Sequence, residues 1–270
     1  MPAVDSQRLS RETQELLGLL GEPERFVRSL LDRLEFYSDH ARRVGPIEEL
    51  AGSEPAFRVR SPVLRSLRRA FAKAAQDRPK QALACAEQLW DSGWREPRLL
   101  AAALLSPAAR LAAAQAERWA DTTDDRQVLK ELAETGLAGL RQAHPAEFLK
   151  SARSWLKAGR ERPRLLAIWA LLAAAQDPVF QDLPGLLRAL RGAAAAVRGE
   201  SRRALRGLIE ALARRSPAEA ASFLLHELQR QEQALAPLVS QALPAFPERQ
   251  RAVLLERLSA HRRAGIIRLH

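Results

Sequence analysis

The sequence predicts an all-α protein: a right-handed α-solenoid of HEAT-like helical hairpins, curved, with a basic concave face. Ala and Leu dominate the chain, while β-branched residues and the 13 Gly are few, a composition typical of helix. Apolar residues recur with helical period in segments of about 12 to 18 residues. Prolines mark the starts of paired segments at intervals of roughly 30 to 40 residues, the range of helical-hairpin repeats. A globular helical bundle is the alternative, but it would not need recurring Pro-marked pairs.

The N-terminal part predicts two helices and a loop. Leu16, Leu17, Leu19 and Leu20 form an apolar stripe that ends at a Gly-Glu-Pro break. A second helix starts at Pro23, because Phe26, Leu30 and Leu34 then share one face. The segment Arg43 to Phe57 contains Gly, Pro and Ser, and we interpret it as a loop with room for one short helix.

Ser-Pro pairs predict the starts of later helices. Ser61-Pro62, Ser106-Pro107 and Ser216-Pro217 each offer a hydroxyl for the helix cap and a proline for the first helical position. Glu219 falls where it would complete a capping box with Ser216. Counted in pairs, the repeats begin near five prolines: Pro107, Pro145, Pro178, Pro217 and Pro247.

The charge balance favours a polyanionic partner. A net charge of +11 and a pI near 11 indicate nucleic acid first and an anionic membrane second. The basic residues are mostly Arg, with only five Lys, so a genome-wide bias toward Arg and Ala codons would produce the same excess. The longest apolar stretch, Leu165 to Ala175, is shorter than the roughly 20 residues that span a bilayer. We therefore expect no membrane association.

A cofactor is not expected. Cys85 is the only cysteine, which excludes an intrachain disulfide and favours the cytoplasm. It lies in an Ala-rich helix and is predicted to be a buried filler. The five histidines show no zinc-ligand spacing, and the chain contains no phosphate-binding Gly-rich loop or nucleophile elbow. The oligomeric state stays open, with a monomer as the simplest expectation.

The predicted function depends on the stretch from Trp119 to Trp155. A turn rich in carboxylates (Asp121, Asp124 and Asp125) joins two amphipathic helices. These aspartates could hold a divalent ion, but capping the helix that follows is the simpler role. The tryptophans are predicted to be core anchors rather than base-stacking platforms, because they fall among apolar neighbours at helical spacing: Trp90, Trp94, Trp119, Trp155 and Trp169.

Three segments together resemble the HEAT-like-repeat alkylpurine DNA glycosylases of the AlkD-type DNA alkylation repair family. Phe57 to Arg65 is similar to that family's Phe-x-Gly-Val-x-x-Pro-x-x-Arg opening, with Arg58 at the usual Gly. Leu89 to Ala101 is similar to its Leu-Trp-x-x-x-x-x-Glu-x-x-x-x-Ala signature. The stretch from Asp124 to Ala167 matches without a gap. The resemblance covers roughly residues 55 to 220. Together with the Pro-marked pairs, it predicts one repeat domain over 1–270, with N-terminal helices and loop (1–56), family-like repeats (57–220) and C-terminal repeats or cap (221–270).

The resemblance also implies a concave face that cradles duplex DNA, and alkylpurine excision in the active members. Those members carry a Trp and, four residues on, an Asp at the start of the helix entered at Asp125. Here the two positions are Arg126 and Lys130. A family Arg falls at Leu165, and a second Trp and an Arg fall at Gly207 and Glu210. Because Lys130 would repel positive charge developing at the deoxyribose, we expect no excision of the usual kind.

The basic residues near these positions are predicted to bind DNA phosphates. Arg126 and Lys130 share a helical face, and two further clusters lie at the starts of the next inward helices, where the helix dipole also favours anions. The predicted DNA-binding residues are Arg126, Lys130, Arg160, Arg162, Arg164, Arg202, Arg203 and Arg206. The simpler interpretation of each is a solvated residue paired with a nearby Glu.

Two alternatives stay open. In a shifted register Trp119 would serve as the aromatic residue, and Asp124 or Asp125 would be the catalytic carboxylate of an active glycosylase. The other alternative is a helical-repeat scaffold for an acidic protein, with no role on DNA.

Overall fold

The computed structural model describes residues 6–38, 54–105, 108–230 and 234–267. Helix accounts for 80% of the structure, and no strand occurs within those ranges beyond one isolated antiparallel bridge between Ser38 and Val59. The all-α prediction is therefore confirmed. Most of the predicted loop from Arg43 to Phe57 and the predicted helix start at Ser106-Pro107 lie outside the described residues.

Sixteen α-helices follow one another in the described part of the chain. The first eight are α1 (Ser6–Gly18), α2 (Pro23–Phe36), α3 (Ser61–Asp77), α4 (Pro79–Asp91), α5 (Arg95–Ala103), α6 (Ala113–Thr122), α7 (Arg126–Glu131) and α8 (Ala138–Ala143). The others are α9 (Pro145–Lys157), α10 (Glu161–Gln176), α11 (Leu183–Ala189), α12 (Ala193–Ala196), α13 (Gly199–Arg215), α14 (Pro217–Gln229), α15 (Ala236–Ala242) and α16 (Glu248–Ile267). A π-helical turn, Leu132–Gly136, continues α7.

Proline opens several of these helices as predicted, but the serine caps differ from the prediction. Ser61 is already inside α3, whose N-cap is Arg60. Ser216 is the N-cap residue of α14 but makes no side-chain cap. Its hydroxyl instead donates to the Glu219 carboxylate at 2.6 Å, so the predicted capping box is wrong. Proline alone, which presets φ and lacks the unpaired N–H, accounts for these helix starts.

The chain forms two compact units, Met1–His144 and Pro145–His270. Their boundary is the His144-Pro145 junction, one of the predicted repeat starts. Within the described ranges, none of the helices has both the length and the apolar character needed to cross a membrane.

In the N-terminal unit, alternate helices pack on one another. Helix α1 contacts α3, α3 contacts α5, and α5 contacts α7, while α2 packs on α4. Helix α5 lies inside this series and is buried from Glu96 to Ala103. Its Ala and Leu side chains are small enough for helices to approach from several sides.

In the C-terminal unit, α10 takes the equivalent central place. It packs against α9 and α13, and α13 packs in turn against α14 and α15. From Leu165 to Leu171 every residue of α10 is buried. Its exposed residues lie at its two ends: Glu161 and Arg162 in the first turn, after the exposed N-cap Arg160, and Gln176 at the last position.

Candidate nucleic-acid interface

Glu96 joins two of the three sequence motifs. Its side chain, in a residue only 1% exposed, accepts hydrogen bonds from the backbone N–H groups of Phe57 at 2.9 Å and Arg58 at 2.8 Å. Arg58 has φ +57°, the left-handed region, and is the one non-glycine residue with positive φ in the described part of the chain. The position where the resemblance leads one to expect Gly thus keeps a conformation suited to Gly. The buried contacts of Glu96 and Trp90 account for the acidic residue and the tryptophan of the second motif.

Two of the tryptophans stack in the core of the N-terminal unit. The rings of Trp90 and Trp119 lie 4.3 Å apart and 7° from parallel. Trp90 Nε1 donates to Thr122 Oγ1 at 2.9 Å, and the Arg98 guanidinium lies 5.4 Å from the Trp90 ring centre. Trp155 and Trp169 are buried too. The core role predicted for these four residues is confirmed, while Trp94 is half-buried and stacks on Phe57.

Asp125 fixes the start of α7. Its carboxylate accepts from the backbone N–H groups of Gln127 at 2.7 Å and Val128 at 3.0 Å, and it pairs with Arg95 Nε at 2.8 Å. The side chain is wholly buried. The predicted capping role is therefore confirmed for Asp125, whereas Asp124 is exposed. Within the described ranges, no group of three or more His, Cys, Asp or Glu side chains is placed to hold a metal ion.

Arg126 and Lys130 lie on the exposed side of α7. Arg126 is the first residue of the helix, directly after the Asp125 cap. The Lys130 side chain is 51% exposed, and its Nζ lies 3.7 Å from Glu134 in the π-helical turn. At that distance and exposure the pair contributes little to stability. Lys130 is thus able to turn toward an anionic ligand.

Arg215 shows how α10 and α13 lie relative to each other. It is the last residue of α13, and its guanidinium donates to the carbonyls of Ala174 at 2.9 Å, Ala175 at 3.1 Å and Asp177 at 2.7 Å, and to that of Phe180. These carbonyls belong to the last turn of α10 and the residues just beyond it. The two C-termini are therefore adjacent, so the packed helices run parallel.

The N-termini of α10 and α13 consequently lie at one end of the C-terminal unit. The helices have 16 and 17 residues, about 24 and 26 Å at 1.5 Å per residue. Their first turns are thus nearly level. Both predicted arginine clusters lie toward that end: Arg160, Arg162 and Arg164 at the start of α10, and Arg202, Arg203 and Arg206 in the first two turns of α13.

These six arginines differ in how they are engaged. Arg164 is largely buried, with its side chain 12% exposed, and pairs with Glu161 at 3.0 Å. It also donates to the carbonyl of Ala158 at 2.7 Å, at the end of α9. Arg206 lies 3.4 Å from Glu210 and is 42% exposed. Arg160, Arg162 and Arg203 are exposed and Arg202 is half-buried. The surface of the cluster is therefore formed by residues other than Arg164.

The other residues that the resemblance aligns with family site residues have contrasting environments. Leu165 is buried and Glu210 pairs with Arg206. Gly207 lies in the middle of α13, and a Cβ added there would meet open space. The Gly is thus not required by packing, and a larger side chain has room at this position.

Comparison with known protein families adds a decisive observation. A family profile described as DNA alkylation repair enzyme matches residues 30–241, well over half of the chain. The chain belongs to the DNA alkylation repair enzyme family. Comparison with curated proteins and with solved structures gave no match. The family match runs from within α2 to within α15 and includes Arg58, Glu96 and both arginine clusters.

Sequence reasoning missed the structural roles of two residues of this family member. Arg215 holds α13 parallel to α10, and Glu96 ties the start of α3 to α5. Glu96 had a signal, because it is the acidic residue of the second motif. Arg215 had none, because its acceptors lie 35 to 41 residues earlier in the chain.

Proposed function

We propose that this member of the DNA alkylation repair family binds duplex DNA through phosphate contacts and lacks the base-excision chemistry usual in the family. The observation that carries the proposal is the parallel packing of α10 and α13, which gathers two arginine clusters at two adjacent helix N-termini. Clustered cations at helix N-termini suffice for phosphate recognition, whereas base excision needs a carboxylate positioned near the deoxyribose.

The physical case for phosphate begins with the helix ends. Unpaired backbone N–H groups and the helix dipole make each N-terminus attractive to anions. Cations at such an end are disfavoured by the same dipole, and a bound anion there would offset that cost. Exposed arginines also supply bidentate hydrogen bonds that match phosphate oxygens. Arg126 and Lys130 extend the same chemistry to the start of α7.

Helix packing supports repeats of the HEAT type within each unit. In the N-terminal unit α1, α3, α5 and α7 pack in series, and in the C-terminal unit α10, α13 and α15 do so. Such serial contacts between helices that are not neighbours in the chain are characteristic of stacked hairpins. The right-handed, curved solenoid and the concave DNA-binding face remain part of the proposal.

The case against excision depends on which carboxylates face solvent near α7. The family position for the catalytic Asp is Lys130, which would oppose the positive charge that develops at the sugar. Asp125 is wholly buried and already serves as cap and ion-pair partner, so freeing it would unravel the start of α7. Asp124 is exposed and stays the candidate catalytic carboxylate of an active glycosylase.

Salt dependence of DNA binding tests the proposal. Replacing Arg160, Arg162, Arg202 and Arg203 by Gln should reduce the slope of log affinity against log salt by about 3 to 4, since each phosphate contact contributes about 0.9. Fluorescence anisotropy with a labelled duplex measures it. The control replaces Arg191, Arg214, Arg230 and Arg249, which are exposed elsewhere in the same unit, and removes the same charge.

Three results decide between the candidates. Equal slopes for the two fourfold variants would reduce the clusters to a general charge effect and contradict the proposed site. Absence of binding by the unmodified chain at low salt would contradict DNA binding altogether. Release of 3- or 7-methylpurine from alkylated DNA, abolished by Asp124→Asn, would establish the glycosylase instead.

A further inference from the structure

A basic stripe runs along α3, and only its first member, Arg65, belongs to a sequence motif. Arg65, Arg69 and Lys73 lie four residues apart on one exposed face, so successive charges rise by about 6 Å along the helix axis. Together with Pro62, Ser66 and Ala70, also on α3, they form the described side of an open surface groove of about 630 Å³.

The three cations of the stripe have no acidic partner in the described part of the chain. Like charges four residues apart on a helix repel each other, so the stripe slightly destabilises α3. The neighbouring Arg68 is different, because it pairs with Glu131 of α7. A carboxylate is therefore present beside α3, yet it faces Arg68 and leaves the stripe without a counterion.

The same Arg68–Glu131 pair locates the stripe. It links α3 directly to the end of α7, and both helices pack on α5. Glu131 directly follows Lys130, so the basic face of α3 and the basic start of α7 belong to one series of helices in the N-terminal unit. Arg58, exposed just before α3, adds a fourth cation near the start of the stripe.

We infer that the α3 stripe is a second contact surface for a nucleic-acid backbone. Evenly spaced, unpaired cations along one helix face suit a linear polyanion, whose phosphate charges are also regularly spaced. The other described residues that line the groove are Pro62, Ser66 and Ala70. They offer no bulky apolar or aromatic side chain to insert into lipid, which favours nucleic acid over an anionic membrane. The inference rests on the proposed function for the class of partner, but it uses different residues.

The test compares two threefold variants of the full chain. Replacing Arg65, Arg69 and Lys73 by Gln should lower the salt slope of duplex binding by about 2.7, or 0.9 per lost contact. The control replaces Arg11, Arg28 and Lys80, which are exposed on α1, α2 and α4, and should leave the slope nearly unchanged. Urea unfolding of the stripe variant should show equal or slightly higher stability, because repulsion along α3 is removed.

The outcomes separate this inference from the proposed function. If the unmodified chain binds and the stripe variant keeps its slope, the inference is overturned while the proposed function stands. If only the stripe variant weakens binding and the α10/α13 variant does not, the inference holds and the proposed phosphate site falls. If the chain binds vesicles containing phosphatidylserine through the stripe, but no duplex, a membrane role replaces both.

Discussion

Arg58 has a backbone conformation that ordinarily belongs to glycine. At φ +57° the Cβ of an L-residue crowds the following carbonyl, which costs roughly 1–2 kcal/mol. The two hydrogen bonds from Phe57 and Arg58 to the buried Glu96 carboxylate hold the chain in this shape. Such charge-assisted bonds are among the stronger ones in proteins. The turn is therefore maintained by Glu96 rather than by the residue that occupies it.

Arg58→Gly should stabilise the protein. Relief of the left-handed strain is partly offset by the greater flexibility of Gly in the unfolded chain, so we expect a net gain of about 0.5–1 kcal/mol. Urea unfolding measures the change. Arg58→Ala is the matched control: it removes the same charge but keeps a Cβ, so it should give no gain. Equal stabilisation by both variants would assign the effect to charge instead of strain.

Cys85 is predicted to be unreactive until the protein unfolds. The thiol is buried, and burial raises its pKa from 9.0 to about 12. Because only the thiolate reacts readily, labelling by a thiol reagent at neutral pH should follow the rate of opening rather than thiol chemistry. The raised pKa means that the folded state loses stability as pH rises above 9 toward 12. Fast labelling of the native protein, or the same alkaline loss in Cys85→Ala, would contradict this.

At the scale of the element, α10 depends on a side chain from another helix for its C-terminal cap. The last carbonyls of an α-helix lack intrahelical partners, and Arg215 supplies donors to four carbonyls at or beyond the end of α10. A cation there also interacts favourably with the negative end of the helix dipole. These contacts of Arg215 terminate α10 and also align α13 beside it.

Arg215→Ala should destabilise the protein by about 2–3 kcal/mol, because hydrogen bonds from a charged donor are lost and partly buried carbonyls are left unpaired. Chemical unfolding measures the loss. Arg214→Ala is the control, since Arg214 is exposed next to it on α13 and should change stability by less than about 0.5 kcal/mol. A similar effect of the two substitutions would show that the carbonyl contacts contribute little.

At the scale of the whole molecule, the features predicted correctly from the sequence are those that neighbouring residues determine. The all-α class, the proline starts of α3, α9 and α14, and the capping by Asp125 all follow from residues close together in the chain. What could not be predicted depends on distant partners. Nothing near Arg68 signals its pair with Glu131, 63 residues away, and nothing near Arg215 signals its carbonyl acceptors 35 to 41 residues earlier. Sequence spacing placed the cations on their helices but could not say which were already paired.

DNA should stabilise the folded chain in proportion to the phosphate contacts that it makes. A ligand that binds only the folded state adds RT ln(1 + [L]/Kd), about 2.7 kcal/mol at a hundredfold excess over Kd. With a net charge of +11, the bound state also relieves repulsion among cations. Duplex DNA should therefore raise the unfolding temperature at low salt, and the rise should vanish as salt weakens binding.

Differential scanning fluorimetry measures this rise for the unmodified chain and for the fourfold variant at Arg160, Arg162, Arg202 and Arg203. Because that variant loses contacts without losing the Arg215 cap, its own unfolding temperature should stay close to that of the unmodified chain while its response to DNA shrinks. An undiminished response would locate the DNA contacts elsewhere on the chain.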